Sequence, residues 1–239
     1  MRISIIKYFP GPIKDFVVKL VTELNTFKTF QTKYRHWESV YSKTSIQNGK
    51  PIPWYTYPAL DFLCQFDYSH DIVFEFGSGN SSLYWADRCK KVYSIEDNEN
   101  WYKQVNQQKR GNQEITLIES KEEYINSIKK ISDKPTIVII DAKYRYECAK
   151  AVADFVDDDA LIILDNSDWF PETCKYLRSK KYFQIDFSGF GPIVSFTTTT
   201  SLFFTSSYKF IPHSDRQPLL SPGGKDFQCD FEDSCNGTR

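Results

Sequence analysis

Residues 73–82 of the chain read VFEFGSGNSS, an apolar run that ends in a glycine-rich turn followed by small polar residues. Such a pattern predicts a buried strand, a turn and the start of a helix. Turns of this kind usually hold phosphates, because glycines let the backbone approach a ligand and the helix start presents free N–H groups. Glu75, two residues before Gly77, would repel a diphosphate at this place. The charge pattern therefore favours a cationic ligand without phosphate.

The segments that follow alternate between apolar runs and helical patterns. Strands are predicted over 90–96, 114–120, 135–141 and 160–165, each followed by a helical pattern. Two further strands, over 182–187 and 197–205, have no helix between them and should pair in antiparallel fashion. We therefore predict an α/β protein with a Rossmann-like open sheet of seven strands, mostly parallel with an antiparallel last strand, and helices on both faces.

Regions of different character flank this predicted sheet. Residues 13–24 carry apolar side chains at helical spacing, so we expect residues 1–52 to form an N-terminal helical extension or lid. Residues 53–211 are predicted to form the ligand-binding domain. Hydrophobic periodicity is lost from about residue 212, and residues 212–239 are predicted to be a mobile polar tail.

Composition excludes several classes of partner. The chain has 239 residues and a formal net charge of −1, which argues against a nucleic-acid partner because no surplus of Lys and Arg is available to neutralise phosphates. No apolar run approaches the roughly 20 residues that cross a bilayer, and the opening residues are too polar for a secretory signal. The six cysteines show no CxxC spacing. We expect a cytoplasmic protein with reduced thiols and no membrane partner.

An acidic residue also ends the second predicted strand. Glu96 follows Gly77 by 19 residues (96 − 77), where a carboxylate can accept hydrogen bonds from both hydroxyls of a ribose. NAD-binding and S-adenosylmethionine-binding proteins share this feature, so it does not separate them. Ser82 stands where a dinucleotide fingerprint has its third glycine. The incomplete fingerprint and Glu75 together favour S-adenosylmethionine over NAD.

The motifs VFEFGSGNSS, VYSIE, IVIID and LIILDN, at these spacings, resemble class I S-adenosylmethionine-dependent methyltransferases over roughly residues 53–205. Residues 49–63 and 186–192 are similar to a small bacterial-type branch of that family. The resemblance implies that Glu75, Gly77 and Gly79 line the methionine part of the cofactor and that Glu96 holds its ribose. It also implies cofactor contacts by further residues of the turn and of an aromatic segment: Trp54, Tyr55, Thr56, Ser78, Asn80, Ser81 and Asp141.

A second acidic cluster is expected where the fourth and fifth strands end. Asp141 follows one strand and the pair Asp165 and Asn166 follows the other, so neighbouring strands would bring three oxygen-bearing side chains together. Such a set suits Mg²⁺, and it is similar to the metal site of catechol-type O-methyltransferases, which makes Mg²⁺ a candidate second cofactor. The alternative is that Asp141 contacts the cofactor or caps a helix, while Asp165 and Asn166 only shape a turn.

The candidate catalytic residues are Asp141, Lys143 and Tyr144. Catechol-type enzymes carry a lysine base three residues beyond the first Asp, where this chain has Tyr144 between Lys143 and Arg145. Lys143 could serve as the base only if its pKa were lowered. Arg145 could bind a carboxylate or phosphate of the substrate. His36, in the predicted lid, is a further candidate base.

These features lead to one function prediction and two alternatives. We expect an S-adenosylmethionine-dependent methyltransferase that methylates an oxygen of a small molecule or a sugar, with a homodimer as an allowed assembly. One alternative is an NAD-dependent oxidoreductase on the same kind of sheet. The other is a non-catalytic nucleoside-binding module that keeps the fold without the chemistry.

Overall fold

The computed structural model describes residues 10–214 and 218–219. Its main sheet contains seven strands: β3 (Ile72–Phe76), β4 (Lys91–Glu96), β5 (Gln113–Leu117), β6 (Ile137–Ile140), β7 (Leu161–Leu164), β8 (Phe183–Phe190) and β9 (Thr197–Phe204). The order across the sheet is β5-β4-β3-β6-β7-β9-β8. A separate hairpin pairs β1 (Ile46–Gln47) with β2 (Lys50–Pro51).

Strand direction in the main sheet confirms the predicted architecture. β3 lies between β4 and β6 and is parallel to both, and β6 is parallel to β7. β9 inserts between β7 and β8 and is antiparallel to each. The order of the strands reverses at β3, so the crevice beyond the carboxyl ends of β3, β4 and β6 is the place where such sheets bind ligands.

Eight α-helices are present in the described part of the chain. They are α1 (Gly11–Lys33), α2 (His36–Ser42), α3 (Tyr57–Leu63), α4 (Asn80–Ala86), α5 (Glu99–Gln108), α6 (Lys121–Asn126), α7 (Arg145–Ala153) and α8 (Pro171–Ser179). Pro58 and Pro171 stand in the first turns of α3 and α8, where the missing N–H costs nothing. Asn98 caps α5, since its Oδ1 accepts a hydrogen bond from the backbone N–H of Trp101 at 2.9 Å.

The central strands are buried on both faces, as their continuous apolar runs predict. One face of the sheet presents Val73, Ile137 and Ile163 to a core that includes Trp85 and Leu63 from α4 and α3. The other face carries a second core against α7 and α8, which includes Phe74, Phe76, Val138, Ile140, Ile162, Leu164, Cys148 and Leu177. This double burial fixes the sheet rigidly beneath the crevice at its carboxyl edge.

Towards both ends of the described chain, the bounds of the elements differ in detail from those that the sequence predicts. The predicted helix at 13–24 belongs to the longer α1, which buries none of its side chains. β8 continues to Phe190, three residues beyond its predicted end, because it pairs with β9 as far as Thr197. Pro212 bridges to Phe66 and the His213 N–H donates to the Gln65 carbonyl at 3.0 Å, so these first residues of the predicted tail are held. Most of the predicted tail lies outside the described residues.

No helix within residues 10–214 and 218–219 combines the length and the apolar character that a membrane span requires.

Candidate active site

The glycine turn after β3 is held against the end of β6. Gly77 has a φ of +103°, in the region that favours glycine, and its N–H donates to the Ile95 carbonyl at 2.8 Å. A Cβ atom added to Gly77 would lie 2.9 Å from the backbone oxygen of Asp141. Glycine is therefore required here by both conformation and space. The turn brings the ends of β3, β4 and β6 into one crevice.

Glu75 lies directly beneath this turn and is almost fully buried, with 1% of its surface exposed. Its carboxylate accepts hydrogen bonds from the hydroxyls of Ser81 and Ser82 at the start of α4, and from that of Ser94 at 3.3 Å. Burial raises the pKa of Glu75 to about 7, although the serine hydroxyls act in the opposite direction. No cationic side chain is among the hydrogen-bond partners that the described residues supply to it.

Glu96, the last residue of β4, faces the same turn. Its Oε1 accepts from the backbone N–H groups of Asp97 and Asn98 at 3.1 and 3.0 Å, and its Oε2 accepts from the Ser78 hydroxyl at 2.8 Å. The carboxylate is thus held in one orientation at the carboxyl end of the strand. The spacing to Gly77 had predicted this proximity, and the hydroxyl of Ser78 provides the direct link.

Trp101, which the sequence analysis did not select as a site residue, closes one side of the turn. Its indole N–H donates to the backbone oxygen of Ser78 at 2.6 Å, and a Cβ on Gly79 would stand 3.7 Å from the ring. The ring remains 44% exposed. The available sequence signal was its place in the first turn of the helix after Glu96, which puts it at the same edge of the sheet.

Residues ahead of the hairpin form the opposite wall. The side-chain amide of Asn80 donates to Thr44 Oγ1 at 2.9 Å and to the Ser45 carbonyl at 2.8 Å, which ties the N-terminal region to the start of α4. We call the resulting cavity the glycine-turn cleft. It is lined by Lys43, Thr44, Ser45, Trp54, Ser78, Gly79, Asn80, Ser81, Trp101, Asp141 and Ile193.

The end of β6 carries an ion pair that the sequence analysis did not anticipate. Arg145, in the first turn of α7, has a side chain only 10% exposed and donates from Nη2 to Asp141 Oδ1 at 2.9 Å. Its remaining donors reach the carbonyls of Ala142 (3.0 Å) and Asp165 and the Asn166 Oδ1 (3.3 Å). Its guanidinium carbon also lies 4.6 Å from the centre of the Phe170 ring.

This arrangement does not fit the predicted Mg²⁺ site. The guanidinium of Arg145 occupies the position between Asp141 and Asn166, so a cation is already supplied by the chain. The Asp165 carboxylate is buried and accepts instead from the Thr200 hydroxyl at 2.6 Å. Across residues 10–214 and 218–219, no three His, Cys, Asp or Glu side chains converge on a point that could hold a metal ion. The assignment of a metal to Asp141, Asp165 and Asn166 stays a prediction that this ion pair does not support.

A second cavity, which we call the aromatic pocket, adjoins the glycine-turn cleft at Asp141 and Trp54, which line both. It has a volume of about 270 Å³ and is lined by Trp54, Asp141, Arg145, Asp165, Asn166, Trp169, Val194, Phe196 and Thr198. The rings of Trp169 and Phe196 lie 6.3 Å apart, inclined by 31°. The ion pair of Asp141 and Arg145 therefore separates a polar cleft from a cavity with aromatic walls.

The loop between β8 and β9 reaches over both cavities. The Val194 N–H donates to the Pro192 carbonyl at 2.8 Å, and the residue between them, Ile193, has a φ of +73°. A β-branched residue in this conformation forms a strained three-residue turn, a feature that concentrates at functional sites. Ile193 lines the glycine-turn cleft, whereas Val194 lines the aromatic pocket.

Of three comparisons with known proteins, one found similar proteins, among solved structures. No protein-family model matches the sequence, and a comparison with curated proteins gives no match. Among solved structures, the chain is similar to precorrin-6y C5,15-methyltransferase from Geobacter metallireducens, with a TM-score of 0.52 and 12% identity over 62% of this chain and 87% of that one. This likeness concerns the fold, a Rossmann-like fold that the chain shares with that methyltransferase structure.

Two further structures are similar to the chain. One is an rRNA methylase from Streptococcus thermophilus, with a TM-score of 0.49 and 16% identity over 67% of this chain and 100% of that one. The other is precorrin 8w decarboxylase from Methanobacterium thermoautotrophicum, with a TM-score of 0.48 and 15% identity over 69% of this chain and 97% of that one. At such identities the likeness concerns the fold alone.

The aromatic segment before α3 has one residue at the surface and two in the core. Trp54 is 47% exposed and lines both cavities. Tyr55 and Thr56 are fully buried: the Tyr55 hydroxyl accepts from the Trp85 indole at 3.4 Å, and the Thr56 hydroxyl donates to the Phe187 carbonyl at 2.8 Å. Neither side chain presents a surface to the cleft, so the expected cofactor contacts of Tyr55 and Thr56 stay a prediction that their side chains do not support.

The two candidate residues next to Asp141 line neither the glycine-turn cleft nor the aromatic pocket. Lys143 is exposed and pairs with Asp97 at 2.5 Å, and this hydrogen bond raises the lysine pKa, opposite to what a base requires. Tyr144 packs edge-on against Tyr124, with ring centres 6.2 Å apart, on the far side of the sheet. Among the three predicted catalytic residues, Asp141 alone lines the two cavities. Arg145, considered for substrate binding, has its donors committed within the chain.

His36 lies away from both cavities. Its Nδ1 is 3.1 Å from the Tyr57 hydroxyl and its ring packs against Phe30, with centres 5.0 Å apart. Burial lowers the pKa of this imidazole. It lines neither the glycine-turn cleft nor the aromatic pocket, so a role of His36 as a base stays a prediction that its position does not support.

Proposed function

We propose that the chain is an S-adenosylmethionine-dependent methyltransferase. The observation that carries the proposal is the buried carboxylate of Glu75 under the glycine turn, where it has hydroxyl partners and no cation. A diphosphate resting on this turn would meet that negative charge in a partly dry site, which is costly. A ligand with a sulfonium and an ammonium group would be attracted to it. The site therefore favours S-adenosylmethionine over NAD.

The remaining contacts follow from the same geometry. We assign Glu96 to the ribose hydroxyls, because its carboxylate is fixed at the end of β4 and faces Ser78. Ser78, Gly79, Asn80 and Ser81 would line the cleft beside the methionine part. Trp101, and Trp54 from the opposite side, would exclude water from the bound cofactor. Exclusion of water and alignment are the main aids that a protein gives to methyl transfer.

When bound, S-adenosylmethionine supplies a methyl group on a positively charged sulfur. We place the acceptor in the aromatic pocket, where its nucleophilic oxygen would point towards the shared wall at Asp141. The cofactor would supply this methyl group to the acceptor oxygen and would leave as S-adenosylhomocysteine. The proton released from the acceptor would pass to the Asp141 carboxylate or to water. Burial raises the pKa of Asp141, against the lowering effect of Arg145, which suits proton acceptance.

The size of the aromatic pocket supports a small-molecule acceptor. About 270 Å³ is close to the lower end of the range of small-molecule sites. The net charge of −1 gives no general attraction for nucleic acid. We therefore keep O-methylation of a small molecule as the proposed reaction. A cytoplasmic location, a homodimer and a lid role for residues 1–52 stay predictions.

The test is a calorimetric titration of the full chain with S-adenosylhomocysteine and, separately, with NADH. We expect micromolar binding of S-adenosylhomocysteine only, and Glu96→Ala should weaken it by about 1–3 kcal/mol through lost charged hydrogen bonds. Glu114→Ala is the matched control, because Glu114 is exposed and pairs with Lys91 at 2.8 Å outside the cleft. Binding of NADH instead would favour the oxidoreductase alternative, and unchanged affinity in Glu96→Ala would reject its ribose role.

A further inference from the structure

We propose that the methyl acceptor is a planar aromatic molecule that carries no negatively charged group, bound in the aromatic pocket against Trp54, Trp169 and Phe196. The inference rests on the proposed function, since it places an acceptor beside a methyl donor. It goes further by choosing between a flat ring and a sugar, and by setting the charge of the acceptor.

The walls of the pocket carry the first argument. Trp54, Trp169 and Phe196 are 47%, 57% and 50% exposed, although rings of this size are usually covered. All three line one cavity, and two of them lie with their rings inclined by only 31°. Exposed apolar surface gathered in one concave place marks a binding site, and flat faces at this spacing suit a flat ligand.

The polar groups of the pocket carry the second argument, because they are already engaged with one another. The Asn166 amide donates to the Thr198 hydroxyl at 3.3 Å, and its oxygen accepts from Arg145. The Thr198 hydroxyl in turn donates to Asp168 Oδ1 at 2.7 Å. Apart from Asp141 and the two indole N–H groups, the lining offers few free partners for the several hydroxyls of a sugar, and a buried hydroxyl without a partner is costly. An aromatic acceptor has far fewer such groups to satisfy.

Charge gives the third argument. Asp141 and Asp165 line the pocket, and Arg145 is the one cation among its described lining residues. Four of the five N–H donors of the guanidinium are taken by Asp141, Asn166 and two backbone carbonyls, so little of it is left for a carboxylate or phosphate of the acceptor. An anionic substituent would meet the Asp141 carboxylate and a cation whose donors are largely taken. A neutral or cationic acceptor avoids this cost.

The experiment compares three probes on the full chain saturated with S-adenosylhomocysteine. The probes are 2-naphthol, its carboxylated analogue 6-hydroxy-2-naphthoate, and methyl β-glucoside, measured by calorimetry and ligand-observed NMR. We expect 2-naphthol to bind at least tenfold more tightly than either of the others. Equal or tighter binding of the sugar would overturn the choice of a flat ring. Equal or tighter binding of the naphthoate would overturn the charge restriction.

Variants locate the binding. Trp169→Leu and Phe196→Leu should each weaken 2-naphthol binding at least fivefold and leave S-adenosylhomocysteine affinity unchanged, while Trp169→Tyr should retain most of it. Trp37→Leu is the matched control, since Trp37 is 60% exposed on α2 and lines neither cavity. Unchanged 2-naphthol affinity in both leucine variants would overturn the proposal. Failure of the proposed function is recognised separately, as loss of S-adenosylhomocysteine binding by the unaltered chain.

Discussion

The crevice has two halves, and in each of them acidic residues lie at the ends of neighbouring strands. The halves differ in the partners of these carboxylates. In the half formed by β3 and β4, Glu75 and Glu96 are held by serine hydroxyls and backbone N–H groups. In the half formed by β6 and β7, Asp141 is paired with Arg145 of the same chain. In the described residues, the two carboxylates of the first half have no salt-bridge partner, whereas the second half neutralises much of its own charge.

This difference shows what an acid at a strand end can and cannot reveal. The residue type and its spacing indicate that a carboxylate faces the crevice. Whether that carboxylate can bind a ligand depends on whether a cationic side chain of the same chain already pairs with it. Arg145 reaches Asp141 because the two residues stand four apart across the start of α7 and because its guanidinium packs over Phe170. The candidate metal site therefore becomes an internal ion pair.

The largest expected effect comes from removing the cation of the second half. Arg145→Gln leaves Asp141 without its partner next to the buried Asp165, whose pKa burial and the Asp141 charge already raise. We expect a loss of about 3 kcal/mol in the free energy of unfolding, measured by urea denaturation. The double variant Arg145→Gln/Asp141→Asn removes both charges and should recover most of the loss. A double variant as unstable as the single one would contradict the ion-pair account.

A somewhat smaller loss of stability is expected from a change in the first half, where the cause is backbone conformation rather than charge. Gly77→Ala places a Cβ 2.9 Å from the Asp141 carbonyl at a φ of +103°. The strain should cost about 2 kcal/mol of stability and weaken S-adenosylhomocysteine binding by moving the turn. Gly111→Ala is the matched control, since a Cβ there would meet nothing within 4 Å. Comparable losses in both variants would show that the turn has no special requirement for glycine.

The sequence allowed prediction of the first half because its determinants are local. A strand, a turn and a helix within ten residues placed Glu75 and the glycines, and the next strand placed Glu96. The second half depends on side-chain directions that spacing does not encode. Tyr55 and Thr56 point into the core, and Lys143 turns outward to Asp97. Ile193 reaches the cleft from a loop whose position follows only from the assembled sheet, whereas Trp101 had a local signal in the first turn of the helix after Glu96.

A third effect concerns the protonation of Glu75, whose pKa of about 7 lies above its ordinary value near 4.5. The carboxyl is therefore mostly neutral at pH 6 and mostly ionised at pH 8. The ionised form attracts a sulfonium, so the affinity for S-adenosylmethionine relative to S-adenosylhomocysteine should rise over this interval. We expect about 1 kcal/mol, roughly fivefold, by calorimetry at both pH values.

The control for this pH effect is Glu75→Gln, which keeps an oxygen acceptor for Ser81 and Ser82 but cannot ionise. Its affinity ratio should stay constant between pH 6 and pH 8. Asp141 is the other carboxylate that raises the pKa of Glu75, so Asp141→Asn should move the midpoint of the wild-type change to lower pH. If the affinity for S-adenosylmethionine relative to S-adenosylhomocysteine fell as the pH rose in the wild type, ionised Glu75 would not attract the sulfonium, contrary to the proposal.

The smallest expected effect is the response of the unaltered chain to magnesium, and it separates the two halves most clearly. A cation that binds only the folded state raises the unfolding temperature by an amount that grows with the ratio of its free concentration to its Kd. Arg145 already occupies the place between Asp141 and Asn166, so millimolar Mg²⁺ or EDTA should leave the wild-type unfolding temperature unchanged. Arg145→Gln frees both oxygens and should gain stability from Mg²⁺, whereas Arg145→Gln/Asp141→Asn should not. If Mg²⁺ stabilised the wild type and EDTA abolished the effect, a metal ion would have to displace the guanidinium of Arg145. The carboxylates of both halves of the crevice would then be available to ligands.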